Sequence, residues 1–316
     1  MIAFDSAAGQ ATADSELKRM LDAVVALVRE VAQREIMPRF LRVIHDQRKD
    51  DGSLCSAADL AAEHFLHGRL QEIRHCPVIG EEMTRAAQRA AWHSGSTDDD
   101  GLWCIDPIDG TTNFINGLPF FAVSIAWIRA RRTRLAVTYN PITDEMFYAR
   151  EGNGAYLNGR RLPLREVTAD IGRAVGGVDF KRIPKLLADR IAVSPPFYSQ
   201  RNFGSSTLDW CNLAAGRLDL YLHGGQKLWD YAAGSLILRE SGGQVCTLTH
   251  DDYDAEDIWR RSVIAALHPA VFKAWRNWVR QRNTPAATSE PLRREVRAAT
   301  HDAAGSTETV GTAGKR

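Results

Sequence analysis

Apolar residues recur every three or four positions from residue 15 to 44: Leu17, Met20, Leu21, Val24, Val25, Val28 and Val31, then Phe40, Leu41 and Ile44. That spacing lines one face of a 3.6-residue repeat and predicts a long amphipathic helix, kinked at Pro38. A second helix is predicted over 57–73, where Ser56 and Asp59 stand in the S-x-x-D relation that caps a first turn.

From residue 102 the pattern changes. Segments 102–106, 121–129, 134–140 and 145–150 are rich in Val, Ile, Phe, Trp and Tyr and predict strands of a meander, with Asn158-Gly159 as a hairpin turn. Farther on, helices predicted over 181–191, 206–216, 230–241 and 270–281 are interspersed with strands over 217–222 and 262–267, and Gly242-Gly243 stops the third of those helices. Helices flanking groups of strands predict a layered α/β fold in two subdomains, 14–172 and 173–282. Residues 1–13 are small and polar and residues 283–316 carry almost no large apolar side chains, so both ends are expected to be disordered.

Composition narrows the class. With 316 residues, 44% hydrophobic and 25% charged, the chain has the make-up of a soluble globular enzyme, and a formal net charge of +1 gives no global field for nucleic acid or an anionic membrane. Any anion site must be local. Five scattered cysteines without a C-x-x-C pair indicate neither a disulfide framework nor a zinc site, so a reducing cytoplasm is the expected location. No stretch of about 18 uninterrupted apolar residues suggests a membrane span.

The chemistry concentrates in Ile105-Asp106-Pro107-Ile108-Asp109-Gly110-Thr111-Thr112-Asn113-Phe114. Pro107 disfavours the helical region for Asp106 and holds it extended at the strand's end, and a turn then returns Asp109 to the same side. Two carboxylates and the Ile108 carbonyl so placed suit one hard cation. Gly110 admits a ligand close to the backbone, and a helical turn from Thr111 would present N–H groups to a phosphate. Alone, such a loop reads equally well as a turn. Other acids lie in comparable surroundings: Glu81 after Val78-Ile79-Gly80, Asp59 after the basic, Gly/Ser-containing 48–53, and Asp230 at a helix start. Singly, Asp59 and Asp230 read as helix caps and Glu81 as a surface acid.

Together these pieces resemble the inositol monophosphatase family of magnesium-dependent, lithium-sensitive phosphomonoesterases. The matching motifs are Lys49-x-Asp51-Gly52-Ser53 with Asp59, Ile79-Gly80-Glu81-Glu82, the stretch 106–114, Gly204-Ser205-Ser206, and Trp229-Asp230-x-Ala232-Ala233-Gly234 followed by Glu240-Ser241-Gly242-Gly243. The resemblance covers roughly 15–280. It implies an αβαβα sandwich, usually a homodimer, with two or three Mg²⁺ ions, which Mn²⁺ can replace. By position, the metal shell would be Glu81, Asp106, the Ile108 carbonyl, Asp109 and Asp230. Glu81 and the Thr111–Asp59 pair would activate a water for in-line attack on a phosphomonoester, while Gly110, Thr111 and Lys49 would bind phosphate. Oxygen-only ligands fit Mg²⁺ rather than Zn²⁺.

Specificity is less defined. Inositol-specific members carry an acid seven positions before the aspartate of the W-D motif, and here that position is His223. A protonated histidine there would favour a second anion on the substrate; the plain alternative is a surface histidine in a variable loop. Ser205, Ser206 and His223 are the expected specificity contacts. Fructose 1,6-bisphosphate, histidinol phosphate and 3′-phosphonucleotides stand beside inositol phosphates as substrates. A regulatory protein contacting RNA or polymerase on the same fold is the alternative from another class.

Overall fold

The structure, a computed structural model, describes residues 3–42, 47–48 and 54–283, with side chains described for 14–42 and 55–283. Helix α1 (Ala3–Val31) begins inside the stretch expected to be disordered. Five alanines among residues 3–13 supply the helix propensity that a reading based on large apolar residues overlooks. There is no simple kink at Pro38. The helix loosens into a π turn at Ala32–Ile36 and a 3₁₀ turn at Met37–Arg39, where Pro38 sits in the first positions and its missing N–H costs no hydrogen bond. The expected disordered tail lies, from residue 284 on, outside the described residues, as does Lys49.

After a short hairpin, β1 (Gln47–Arg48) with β2 (Leu54–Cys55), comes α2 (Ala57–Ile73). The first large sheet runs in chain order through β3 (Val78–Gly80), β4 (Leu102–Asp109), β5 (Ala122–Arg129), β6 (Arg132–Asn140), β7 (Glu145–Arg150), β8 (Ala155–Leu157) and β9 (Arg160–Arg161). Only the β3–β4 pair is parallel, with α3 (Arg85–Gly95) between its strands; the rest is the expected meander. The turn between β8 and β9 is Asn158-Gly159, both at positive φ. A five-residue helix, α4 (Thr111–Ile115), follows β4.

The second sheet has the order β11-β10-β12-β14-β13. Its members are β10 (Val175–Val178), β11 (Ser199–Arg201), β12 (Leu220–Gln226), β13 (Gln244–Cys246) and β14 (Arg261–Ala266). Helices α5 (Lys185–Val193), α6 (Ser206–Ala214), α7 (Leu228–Glu240) and α8 (Pro269–Asn283) complete the chain.

Three apolar cores hold five layers together, the middle core filling both faces of its helix layer. Met20, Val24 and Val28 of α1 and Leu66 and Leu70 of α2 pack on Trp103, Ile105 and Ile125 of the first sheet. Trp210 and Leu213 of α6 and Leu236 and Ile237 of α7 lie between Leu102 and Cys104 of that sheet and Tyr221, Val263 and Ala265 of the second. Leu187 and Ile191 of α5 and Trp275 of α8 cover the far face through Leu220, Leu222 and Ile264. The middle helices are buried on both sides, and almost every residue of α6 and α7 is inaccessible, which is why neither shows a polar stripe. Among the described residues no helix is long and apolar enough to cross a membrane.

Candidate active site

The site begins with the alternation of β4. Leu102 and Cys104 face the middle core and Trp103 and Ile105 face α1 and α2, so Asp106 falls on the middle face, three residues before the strand's end. In an unbroken strand Asp109, three residues on, would point the other way. The pairing with β5 slips here: Asp106 lies opposite Ser124 and Asp109 opposite Ala122, so three steps of β4 match two of β5. This bulge inside the strand, rather than a turn after it, turns Asp109 back toward Asp106, and Pro107 fits where a ladder N–H is not required. Asp230, in the first turn of α7, completes a group whose ligand oxygens lie within 4.8 Å of one another.

Three carboxyls this close repel one another, and Asp106 and Asp109 are buried as well. Both oxygens of Asp106 are buried without a hydrogen-bond partner. Burial, then the charges of Glu81, Asp109, Asp230 and Asp59, push its pKa well above the carboxylate range. Asp230 is raised to about 6 by burial and by Asp109, against the Lys227 N–H that donates to its Oδ2 at 2.8 Å. Asp109 is raised by burial but opposed by hydrogen bonds, since its Oδ2 accepts from Ser205 Oγ (2.5 Å), Thr207 N (2.7 Å) and Thr207 Oγ1 (2.7 Å). A polar atom buried without a partner is the exception in native proteins, and a divalent cation among these oxygens satisfies them all. The residues present therefore fit a hard metal ion.

Gly110, Thr111, Asn113 and Phe114 each have their own task. Gly110 holds φ 95°, and a side chain there would press on the carbonyl of Phe120. Thr111 Oγ1 lies 3.3 Å from Asp59 Oδ1 and 3.1 Å from the Ile108 carbonyl. Asn113 Nδ2 donates to the carbonyls of Phe120 and Phe203, both at 2.7 Å, tying two loops of the cleft wall together. Phe114 packs edge-on against Phe121 in the outer core. Asp59 serves two purposes at once: its Oδ2 accepts from Ser56 N and Oγ (2.8 and 2.6 Å), closing the helix cap, and that bond fixes the Oδ1 facing Thr111. Asp230 likewise combines an intrahelical cap with membership of the carboxyl group.

Asp109 and Asp230 line a cleft of about 1140 Å³ together with Glu81, Gly110, Thr111, Ser205, Ser206 and His223. Ser205 is buried, and its hydroxyl is engaged by Asp109. His223 is not on the surface: it sits in β12 with its side chain 2% exposed. Two acids on the cleft wall carried no sequence signal. Asp179 follows the glycine-containing strand β10, and Asp209 lies one turn into α6 with Oδ1 buried and unpartnered.

A sequence profile of the inositol monophosphatase family matches residues 16–282. The chain is 32% identical over 270 residues to inositol monophosphatase 3 of Solanum lycopersicum, across 83% of this chain and 98% of that protein. It is 33% identical over 239 residues to inositol-1-monophosphatase of Caulobacter vibrioides, across 72% of this chain and 90% of that protein. Identity to Nus factor SuhB of Haemophilus influenzae is 44% over 178 residues, across 54% of this chain and 64% of that relative, so less than two thirds of its length is spanned. The solved structure of a Thermotoga maritima IMPase superposes with a TM-score of 0.70 at 27% identity, covering 84% of this chain and 99% of that one.

Proposed function

We propose that this chain, which belongs to the inositol monophosphatase family, is a Mg²⁺-dependent phosphatase acting on a small phosphorylated alcohol. The observation that carries this reading is Asp106, whose two oxygens are buried without partners inside a group of three carboxyls. Asp106, Asp109, Asp230, Glu81 and the Ile108 carbonyl would hold the metal. When bound, the ion supplies Lewis acidity that draws charge from phosphate oxygens and lowers the pKa of a water.

The chain's own groups do the rest. Thr111 Oγ1, 3.3 Å from Asp59 Oδ1, would donate its one hydrogen there and accept a hydrogen from the attacking water. Asp59, locked by its cap to Ser56, keeps that alignment without moving. Glu81, on the cleft wall beside Asp106, receives the water's proton. The bulge at Asp106–Asp109 and the left-handed Gly110 bring the start of α4 to the cleft, where backbone N–H groups meet a phosphate.

A second reading is favoured by one observation, the 44% identity to a Nus factor. That role would be regulatory and would not need the carboxyl group; both roles can share one chain. Phosphate release from inositol 1-phosphate, glycerol 2-phosphate, fructose 1,6-bisphosphate, histidinol phosphate and adenosine 3′-phosphate, each with Mg²⁺ and with EDTA, tests the enzymatic reading. Metal-dependent turnover of at least one ester is expected. Release from none of them would overturn it and leave the regulatory role.

A further inference from the structure

The same cleft carries Asp179, Asp209 and His223, with His223 close enough to act on Asp230 and Asp109 close enough to act on Asp209. His223 was the residue expected to read the substrate, through one hydrogen bond or, if protonated, through its charge. Its surroundings argue otherwise. The Gly225 N–H donates to Nδ1 at 3.1 Å, which places the imidazole proton on Nε2, and Nε2 lies 3.3 Å from Asp179 Oδ2. Both ring nitrogens are therefore occupied within the protein, and a second proton on Nδ1 would break the Gly225 bond.

Asp179 is the group left facing the cleft. Its side chain is 22% exposed; Oδ1 accepts from Lys181 N at 2.9 Å, and Oδ2 takes His223 with Arg182 Nε 3.7 Å away. An ionised carboxylate offers about four acceptor positions, so capacity remains for a ligand donor. Burial raises its pKa, but the His223 hydrogen bond, the Lys181 N–H and Arg182 outweigh it and hold the carboxyl below its ordinary value. The mounting is rigid. Asp179 N donates to the Leu222 carbonyl at 3.1 Å, and a Cβ on Gly224 would stand 1.7 Å from the Arg182 carbonyl, so β12 and the 179–182 turn touch through their backbones.

We propose that Asp179 is the specificity residue of this site and His223 its positioning residue, and that the alcohol portion of the substrate carries a hydrogen-bond donor, hydroxyl or ammonium, which Asp179 accepts. This rests on the phosphatase reading above. Asp209, a second acid on the cleft wall, has its pKa pushed well above the carboxylate range by burial and by Asp109 and Asp179, so the anionic acceptor on this wall is Asp179, which makes a further anion on the substrate unfavourable there. Lys181 and Arg182 are exposed at the mouth, and Arg182 is committed to Asp179.

The test compares kcat/KM on four esters with Mg²⁺: phenyl phosphate, glycerol 2-phosphate, 3-aminopropyl phosphate and 1,3-propanediol bisphosphate. Each value is divided by that for phenyl phosphate, so a smaller fraction of folded protein or a shifted Asp109 cancels. In Asp179→Asn the ratios for the hydroxyl and ammonium esters are expected to fall about tenfold, mainly through KM. A larger fall for the ammonium ester identifies a cationic substrate, because asparagine keeps an acceptor oxygen but no charge. His223→Phe should reproduce the fall, His223→Gln should restore most of it by retaining an N–H donor, and Asp179→Asn with His223→Phe should be no worse than Asp179→Asn alone. Unchanged ratios in Asp179→Asn, or a bisphosphate preferred by the wild type, would overturn the inference while leaving the phosphatase standing. Wild-type release from none of the esters would overturn the phosphatase reading itself.

Discussion

Asp106→Asn is expected to cut phosphate release at least about a hundredfold and, in the same protein freed of metal, to raise the melting temperature. The first effect follows from losing a charged oxygen from the group that would hold the cation, where Lewis acidity contributes several kcal/mol and each 1.36 kcal/mol is tenfold in rate. The second follows from electrostatics without metal. Asp106 is buried, unpartnered and surrounded by Glu81, Asp109, Asp230 and Asp59, so ionising it opposes folding.

The pH dependence has a definite sign. Carboxyls raised above their unfolded values bind more protons in the folded state, so their contribution is fully present below about pH 4 and is lost as pH rises. For Asp230 the loss runs through about 6, and for Asp106 it extends higher. Above that window asparagine removes an uncompensated charge, a gain of roughly 1–3 kcal/mol or a few degrees for a domain of this size. Melting curves in EDTA from pH 4 to 8 should slope downward for the wild type and less steeply for the variant. Equal slopes, or a variant melting below the wild type at pH 8, would count against the buried-charge reading.

Gly234→Ala is expected to destabilise the protein by roughly 2–3 kcal/mol and to lower turnover about a hundredfold, although residue 234 lies four positions beyond Asp230. A Cβ at this position would lie 2.4 Å from Cβ and Cγ of Trp210, a rigid side chain that is fully buried and held by its Nε1 donating to Gln226 Oε1 at 3.1 Å. The helices would have to separate. Ser205, the N-cap of α6, and Thr207 in its first turn supply three hydrogen bonds to Asp109 Oδ2, and the first turn of α7 supplies Asp230, so a shift of about 1 Å between the helices disturbs the carboxyl group directly. Thermal melting and phosphate release on the purified variant check both halves; a melting temperature within a degree of wild type would contradict the packing role.

That glycine shows where sequence reading stops. The W-D-x-A-A-G motif was legible as a pattern, but its last residue is fixed by the width of Trp210 on another helix, which no local rule supplies. The strands expected over 102–106, 121–129, 134–140 and 145–150 were legible because apolar density and β-branched content persist along them, although the first runs on to Asp109; so was α2, whose start is written in Ser56 and Asp59. Strand β10 was missed: Val175-Gly176-Gly177-Val178 has the wrong propensity, and its glycines exist because Leu220 and Tyr221 of β12 press against them. Helix α3 was missed because Ala- and Arg-rich segments lack a broad apolar face, and only Gln88, Trp92 and Gly95 are buried in it.

The acids around residue 106 were readable as a set because motif order named them. Their convergence through a bulge, with a three-residue spacing that a regular strand would send to opposite faces, was not. Asp179 had no signal at all: it is a single acid in a loop, and its relation to His223, 44 positions later, exists only in the fold.

Calorimetric titration of Mg²⁺ into EDTA-treated protein near pH 6.5, in buffers of differing ionisation enthalpy, addresses the carboxyl group most directly. Binding accompanied by proton release is expected, because Asp106 and Asp230 share the site with raised pKa values and must ionise to hold the ion, and both the affinity and the protons released should fall in Asp106→Asn. Absence of binding, or binding without proton release that Asp106→Asn leaves unchanged, would contradict a divalent-cation site at Asp106, Asp109 and Asp230.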